Sequence, residues 1–236
     1  MEEETHNGCH SAGIRTIDSL SGDEMNRFRD RGDAGRKLAR RLSHYQGRDD
    51  VIVLALPRGG LPVGAEVAES LGASMDVFLV RKLGVPGHEE LAMGAIASGG
   101  VRVVDDRVLS QAQVQADDLA RVLAKEDREL RRRERLYRGD RPYPYVTDKV
   151  VILVDDGLAT GSSVRAAIRG VRGLSPKAIV VGVPVAPPEV CAAIKKDVDE
   201  VVCVLRPPMM LGIGGHYERF PQLTDDDVRA LLDQVE

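Results

Sequence analysis

The sequence predicts an α/β fold, a doubly wound and mainly parallel sheet. Three observations carry that expectation. Short apolar runs at Val51–Leu56, Val150–Val154, Ala178–Val183 and Glu200–Leu205 are rich in valine and read as strands buried on both faces. Helix-like stretches alternate with them, the order that winds helices over both sides of one sheet. Glycine-containing turns follow the first two runs, and open parallel sheets bind ligands at the carboxyl ends of strands, where strand order reverses. The 51–56 and 150–154 strands are therefore expected side by side at that switch point, their turns facing each other across one crevice.

A chain of 236 residues buries a sizeable core, as one large domain or one domain with an insertion. With no tryptophan and few aromatics, that core is built from Val, Leu, Ile and Ala. The formal net charge of −4 offers no general nucleic-acid or membrane surface. Cys9, Cys191 and Cys203 form no CxxC pair and no even framework, which points to a reducing, cytoplasmic compartment. No apolar run approaches the ~18 residues of a membrane span. The acidic start Met1-Glu2-Glu3-Glu4 lacks the apolar stretch of a signal peptide.

Residues 1–20 read as a disordered or loosely attached polar tail, in which His6, Cys9 and His10 are too few for a four-ligand metal site. Ser21 and Glu24 have capping-box spacing and predict a helix to about Tyr45, weakened in its middle by Gly32 and Gly35. Its arginines (Arg27, Arg29, Arg31, Arg36, Arg40, Arg41) read as a solvated face. The first strand runs into Pro57-Arg58-Gly59-Gly60 and then a helix from about Val63 to Leu71. Arg58 offers a planar fork for phosphate oxygens, and a plain glycine turn with a surface arginine is the competing reading.

Asp76–Val80 predicts a third strand. The Arg81–Glu90 segment after it is either a cationic lid over a phosphate substrate or a surface hairpin. Leu91–Ala97 and Val101–Val104 pair across Ser98-Gly99-Gly100. Arg107–Arg138 predicts one long charged helix or a helical hairpin with a narrow stripe of Leu119, Val122, Leu123 and Leu130. Its run Arg131-Arg132-Arg133-Glu134-Arg135 reads as a salt-bridged face. Cys191 and Cys203 read as small buried hydrophobes. Thr224 and Asp227 mark the N-cap and N3 positions of a last helix.

The most informative stretch is Val150–Ser163. A buried strand, the acidic pair Asp155-Asp156, a turn with Gly157 and Gly161, and a helix place backbone N–H groups around an anion. Thr160, Ser162 and Ser163 add hydroxyls. The carboxylates suit ribose hydroxyls, or a Mg²⁺ that bridges to phosphates. The segment contains neither the Gly-Lys-Ser/Thr of a Walker loop nor G-x-G-x-x-G. It resembles the phosphoribosyl-pyrophosphate (PRPP) motif of type I phosphoribosyltransferases: apolar strand, two acids, two variable residues, then Ala or Asp, Thr, Gly and small residues.

By motif and element order the resemblance extends over about residues 25–235. It implies that Ala159, Thr160, Gly161, Ser162 and Ser163 hold the 5-phosphate and that Asp155 and Asp156 serve the ribose hydroxyls and Mg²⁺. It implies a pyrophosphate loop of Arg58, Gly59 and Gly60, with Lys82 at the start of a mobile loop that also reaches pyrophosphate. Arg58, Lys82, Asp155 and Asp156 form the implied catalytic set. Residues 206–222 become a small C-terminal hood over the acceptor, with Tyr217 or Phe220 as stacking groups. Residues 107–145 become a helical insertion beyond the minimal family core, within a domain spanning 21–236. A homodimer acting on a small phosphoribosyl substrate is implied as well.

The implied chemistry is displacement of pyrophosphate from PRPP by an acceptor, usually a base nitrogen. Ala159 stands where 6-oxopurine enzymes of the family carry an Asp, which speaks against hypoxanthine and guanine. The same residues also fit a PRPP- or nucleotide-binding regulator without turnover, or a hydrolase in which water replaces the acceptor.

Overall fold

The computed structural model describes residues 27–139 and 141–234. At its centre is a five-stranded parallel sheet in the order β2-β1-β6-β7-β8. It is built from β1 (Val51–Ala55), β2 (Ser74–Val77), β6 (Val150–Val154), β7 (Ala178–Val185) and β8 (Glu200–Leu205). β1 and β6 lie side by side as expected, in register from Val51 opposite Val150 to Ala55 opposite Val154. The chain winds outward from β1 to β2 on one side and from β6 to β8 on the other, so strand order reverses between them.

Alternation along each strand sorts side chains between the two faces. Val51, Val53, Val150, Ile152 and Val154 pack with Leu38 of α1 (Arg31–Arg41) and Val63 and Val67 of α2 (Gly60–Leu71). Ile52, Leu54, Val151 and Leu153 pack with Val164, Ala167 and Ile168 of α5 (Ser162–Arg172) and Ile194 of α6 (Pro188–Ile194). Cys191 and Cys203 lie buried in that second layer.

α1 starts at Arg31 because Asp30 caps it, accepting from the Asp33 N–H at 2.9 Å. The Ser21–Glu24 capping box and the His6, Cys9 and His10 group lie outside the described residues. Gly35 does not break α1. It lets α1 close on α2, since a Cβ there would lie 2.7 Å from the Glu66 Cβ.

A second, antiparallel sheet contains β3 (Val80–Val85), β4 (His88–Ala97) and β5 (Val101–Val104). The strand expected over Asp76–Val80 stops at Val77, where its partner β1 runs out at Ala55. Buried Phe78 and Leu79 then carry the chain across to the second sheet. Arg81–Glu90 is thus a hairpin turned at Pro86-Gly87, and Lys82 sits on β3 rather than on the parallel sheet. α5 is wedged between the sheets so closely that a Cβ on Gly170 would lie 2.6 Å from the Ala97 Cβ.

The charged stretch forms a helical hairpin, α3 (Asp106–Gln111) and α4 (Ala116–Arg138). Leu119, Val122, Leu123 and Leu130 join a cluster with the second sheet and with α7 (Asp225–Gln234). Arg131 pairs with Asp127, and Arg132 and Arg133 pair with Glu129, along the outer side. α7 opens with the expected cap: the Asp227 N–H donates to Thr224 Oγ1 at 3.1 Å, and Asp227 Oδ2 accepts from the Thr224 N–H at 2.8 Å. No helix among the described residues is long and apolar enough to cross a membrane.

Candidate active site

The two strands at the switch point deliver two turns. After β1, Leu56-Pro57-Arg58-Gly59 leads into α2, with a cis Pro57–Arg58 peptide. After β6, Asp155–Gly161 leads into α5. The turns approach more closely than side chains permit. A Cβ on Gly59 would lie 1.9 Å from Asp156 Oδ2, and one on Gly60 would lie 2.7 Å from the Val154 carbonyl oxygen. Only glycine fits at either position.

Asp156 is buried, and its carboxylate accepts from Arg31 Nε at 2.9 Å. Its carbonyl accepts from the Tyr217 hydroxyl at 2.6 Å. Asp155 is half-buried, and its Oδ1 accepts from the Asp156 N–H at 2.9 Å. Burial pushes the Asp155 carboxyl well above the usual carboxylate range, and the Asp156 charge beside it adds to the shift. Burial raises Asp156 as well, opposed by the Arg31 hydrogen bond. The pair therefore offers one carboxylate tied to a cation and one carboxyl whose ionisation burial and its acidic neighbour oppose.

Gly161 takes a left-handed φ of 74° and turns the chain into α5, whose first N–H groups have no intrahelical partner. Ala159, Thr160, Ser162 and Ser163 gather around that end. Thr160 Oγ1 and Ser162 Oγ are 3.0 Å apart, and Arg165 Nη1 donates to the Thr160 carbonyl at 3.0 Å. Ile194 supports the turn from behind, 3.0 Å from where a Gly161 Cβ would sit.

A cavity of about 470 Å³ opens between these turns and the 206–223 segment, with Arg31, Arg58, Gly59, Asp156, Ala159 and Phe220 in its walls. That segment is stitched to the residues before α1. The Phe28 N–H donates to the His216 carbonyl at 2.8 Å, and the Glu218 N–H donates to the Phe28 carbonyl at 2.8 Å.

Tyr217 is buried, its ring centroid 5.3 Å from that of Phe28 and 4.8 Å from that of Phe220. It is not free to stack on a substrate, and instead fixes the Asp156 backbone. Phe220 does reach the cavity, but the Arg31 guanidinium lies over its ring, 3.7 Å from the centroid. Arg58 lines the cavity and donates to the Leu223 carbonyl at 2.7 Å. Lys82 is not among the cavity residues, and its amine pairs with Glu90 Oε2 at 3.2 Å.

Arg31 is the residue that sequence reasoning passed over. It stands among five other arginines, and its carboxylate partner is 125 positions away, so no local spacing marks it. The one local sign is its place directly after the cap residue Asp30, which fixes where its side chain leaves α1.

Residues 21–209 match the family model described as the phosphoribosyl transferase domain. The chain belongs to that family. Two Mycobacterium tuberculosis proteins, from strains H37Rv and CDC 1551 and each named "Putative phosphoribosyl transferase", are 44% identical to it over 211 residues. The match covers 89% of this chain and 47% of theirs, so the chain spans about half the length of these curated relatives. The crystal structure of TT1426 from Thermus thermophilus superposes with a TM-score of 0.81 at 42% identity, over 88% of this chain and 98% of that one. The phosphoribosyl transferase domain fold expected from the Asp155–Ser163 motif is therefore the fold observed.

Proposed function

We propose that this phosphoribosyl transferase domain uses PRPP and Mg²⁺ to transfer a 5-phosphoribosyl group to a ring nitrogen other than that of a 6-oxopurine, releasing pyrophosphate. One observation supports this most. Two anion-binding turns from adjacent strands meet over an acidic pair, so tightly that Gly59 touches Asp156. A ligand with phosphate at one end, pyrophosphate at the other and hydroxyls between matches that order. The N-terminus of α5 with Thr160, Ser162 and Ser163 takes the 5-phosphate, Asp155 and Asp156 take the ribose hydroxyls, and Arg58 with Gly59 and Gly60 takes the pyrophosphate.

The acceptor lone pair forms the C1–N bond as the C1–O bond breaks, and the electron pair leaves with pyrophosphate. Positive charge grows on the ribose ring, where the Asp155–Asp156 pair favours it. Negative charge grows on the leaving group beside Arg58. The cavity holds the acceptor in line and limits water, so positioning supplies much of the rate.

Among the described residues no group of three or more His, Cys, Asp or Glu is able to hold a metal. That suits Mg²⁺, which keeps water and substrate oxygens as most of its ligands. Asp155 is the better placed of the two expected ligands, since Arg31 already engages Asp156. Asp155 would hold Mg²⁺ beside the leaving group, where the ion would neutralise charge on the pyrophosphate.

Calorimetric titration of PRPP with Mg²⁺ into the wild type and Asp155→Asn/Asp156→Asn tests the reading. Micromolar binding lost in the double variant is expected. No binding to the wild type overturns it. Binding without pyrophosphate release across a panel of bases turns the assignment to a regulator.

A further inference from the structure

Arg31 is held on three sides. Nε donates to Asp156 Oδ2 at 2.9 Å, Nη1 donates to the Pro221 carbonyl at 2.8 Å, and the guanidinium plane covers Phe220. A guanidinium carries five N–H donors. These two bonds engage one donor each. No buried side-chain nitrogen or oxygen among the described residues lacks a partner, so Nη2, which neither bond uses, is not sealed in protein. Arg31 lines the cavity, so the Nη2 donors are available to a ligand there.

The rest of the wall is largely apolar, with Ala159, Ile213, Gly214 and Phe220, and Gln222 adds one neutral carboxamide. Asp156 is the cavity's carboxylate, and Arg31 itself engages it, while Arg58 adds a second guanidinium. Arg58 lies 4.0 Å from Asp225 Oδ1 and serves the pyrophosphate in the proposed reaction, so selection at this edge falls to the donors of Arg31 that its two bonds leave over. A substrate edge of amino groups would set donors against donors and leave them unpaired. A carboxylate would meet the planar fork with two charge-assisted hydrogen bonds.

We propose that Arg31 is a specificity-determining residue and that the acceptor is a planar nitrogen compound carrying a carboxylate, received on the free edge of the Arg31 guanidinium. The inference rests on the phosphoribosyl-transfer reading. Arg31 then links both halves of the reaction, since one side chain holds the acceptor carboxylate and the Asp156 that serves the ribose. Phe220 acts as its platform.

The test uses matched pairs that differ in the carboxylate: nicotinate and nicotinamide, orotate and uracil. Each is titrated into wild type, Arg31→Gln and Arg31→Lys, with and without PRPP and Mg²⁺, after circular dichroism confirms folding. In the wild type at least one carboxylate is expected to bind about tenfold or more tighter than its uncharged counterpart. Arg31→Gln should erase that ratio, and Arg31→Lys, which keeps charge but not the fork, should retain part of it.

The ratio within one variant is independent of any general weakening through Asp156. No carboxylate preference in any pair, or a preference that survives Arg31→Gln, overturns the proposal. Failure of the wild type to bind PRPP overturns the phosphoribosyl reading instead, and the titrations without PRPP still report on Arg31.

Discussion

The crevice between β1 and β6 and the side of the molecule formed by the β3–β4 hairpin and the α3–α4 insertion are held by different physics. The crevice is fixed by exclusion: Gly59 and Gly60 leave no room for a Cβ, and Asp156 is engaged through both its side chain and its carbonyl. The outer side is laced with partly exposed ion pairs, such as Lys82 with Glu90 and Arg131 with Asp127. Exposed pairs contribute little and exchange partners easily, whereas packed contacts admit few arrangements. The molecule thus sets a rigid frame around the crevice against an adjustable flank.

The largest expected effect comes from the frame. In Gly59→Ala the new methyl overlaps the Asp156 carboxylate and forces the two turns apart. A displacement of about 1 Å costs roughly 100-fold in the rate of a positioned reaction, so turnover should fall about that far, and PRPP with Mg²⁺ should bind more weakly by calorimetry. The variant should still fold, at a cost of about 1–3 kcal/mol of overpacking. Unchanged PRPP affinity in Gly59→Ala would mean that the turns are not rigid.

The next effect joins the two regions. Buried Arg138 on α4 pairs with Asp76 on the edge strand β2 and donates to the Val77 carbonyl. Asp76→Ala leaves that guanidinium with carbonyl partners and no anion. Removing one member of a fully buried pair costs about 3–5 kcal/mol, and because the Asp76 side chain is partly exposed the loss should fall below that range, read as a lower urea midpoint. A loss within error would show that the flank contributes nothing to the stability of the sheet.

The same contrast explains what was legible in the sequence. The β1 and β6 runs, the Thr224–Asp227 cap and the Asp155–Ser163 motif are local signals, carried by neighbours in the chain, and the structure has them where expected. The misses are long-range. β2 ends at Val77 because β1 supplies no further partner, which the Asp76–Val80 run does not record. Tyr217 is expected as a stacking group of the hood, yet it is buried against Phe28 and Phe220. Arg31 belongs to the site only because the first residue of α1 lies beside the turn after β6 and meets Asp156.

Asp155→Asn should separate stability from function within the frame. Asn preserves an oxygen for the Asp156 N–H and removes a carboxyl that burial and Asp156 both hold above its ordinary range. A raised folded-state value means that wild-type stability falls as pH rises above the unfolded carboxyl value of about 4. The variant should therefore melt a few degrees higher at neutral pH, lose that advantage near pH 4, and bind PRPP more weakly. An equal or lower melting temperature at pH 7 would contradict this account.

On the flank, the Tyr137 hydroxyl donates to Asp225 and joins α4 to α7. Burial and that hydrogen bond push Tyr137 up to about 12. The stability it contributes is present below the unfolded tyrosine value of about 10 and is lost as pH rises through the folded one. Wild type should lose stability over that window more steeply than Tyr137→Phe, as unfolding by urea at fixed pH will show.

The smallest effect on stability is expected at Lys82, and it sharpens the comparison most. Its amine pairs with Glu90, whose side chain is fully exposed, so Lys82→Ala should cost under about 1 kcal/mol. A weak pair is what a mobile partner of pyrophosphate requires, because exchanging Glu90 for a phosphate oxygen then costs little. If the hairpin closes over the crevice during turnover, Lys82→Ala lowers kcat and leaves both the urea midpoint and the affinity for PRPP with Mg²⁺ near wild type. Glu90→Ala, which leaves the amine only the Glu90 carbonyl at 3.4 Å, should leave kcat unchanged or raise it. Equal kcat in wild type and Lys82→Ala would remove Lys82 from the reaction, and Arg58 would then be the cation left to receive the leaving group.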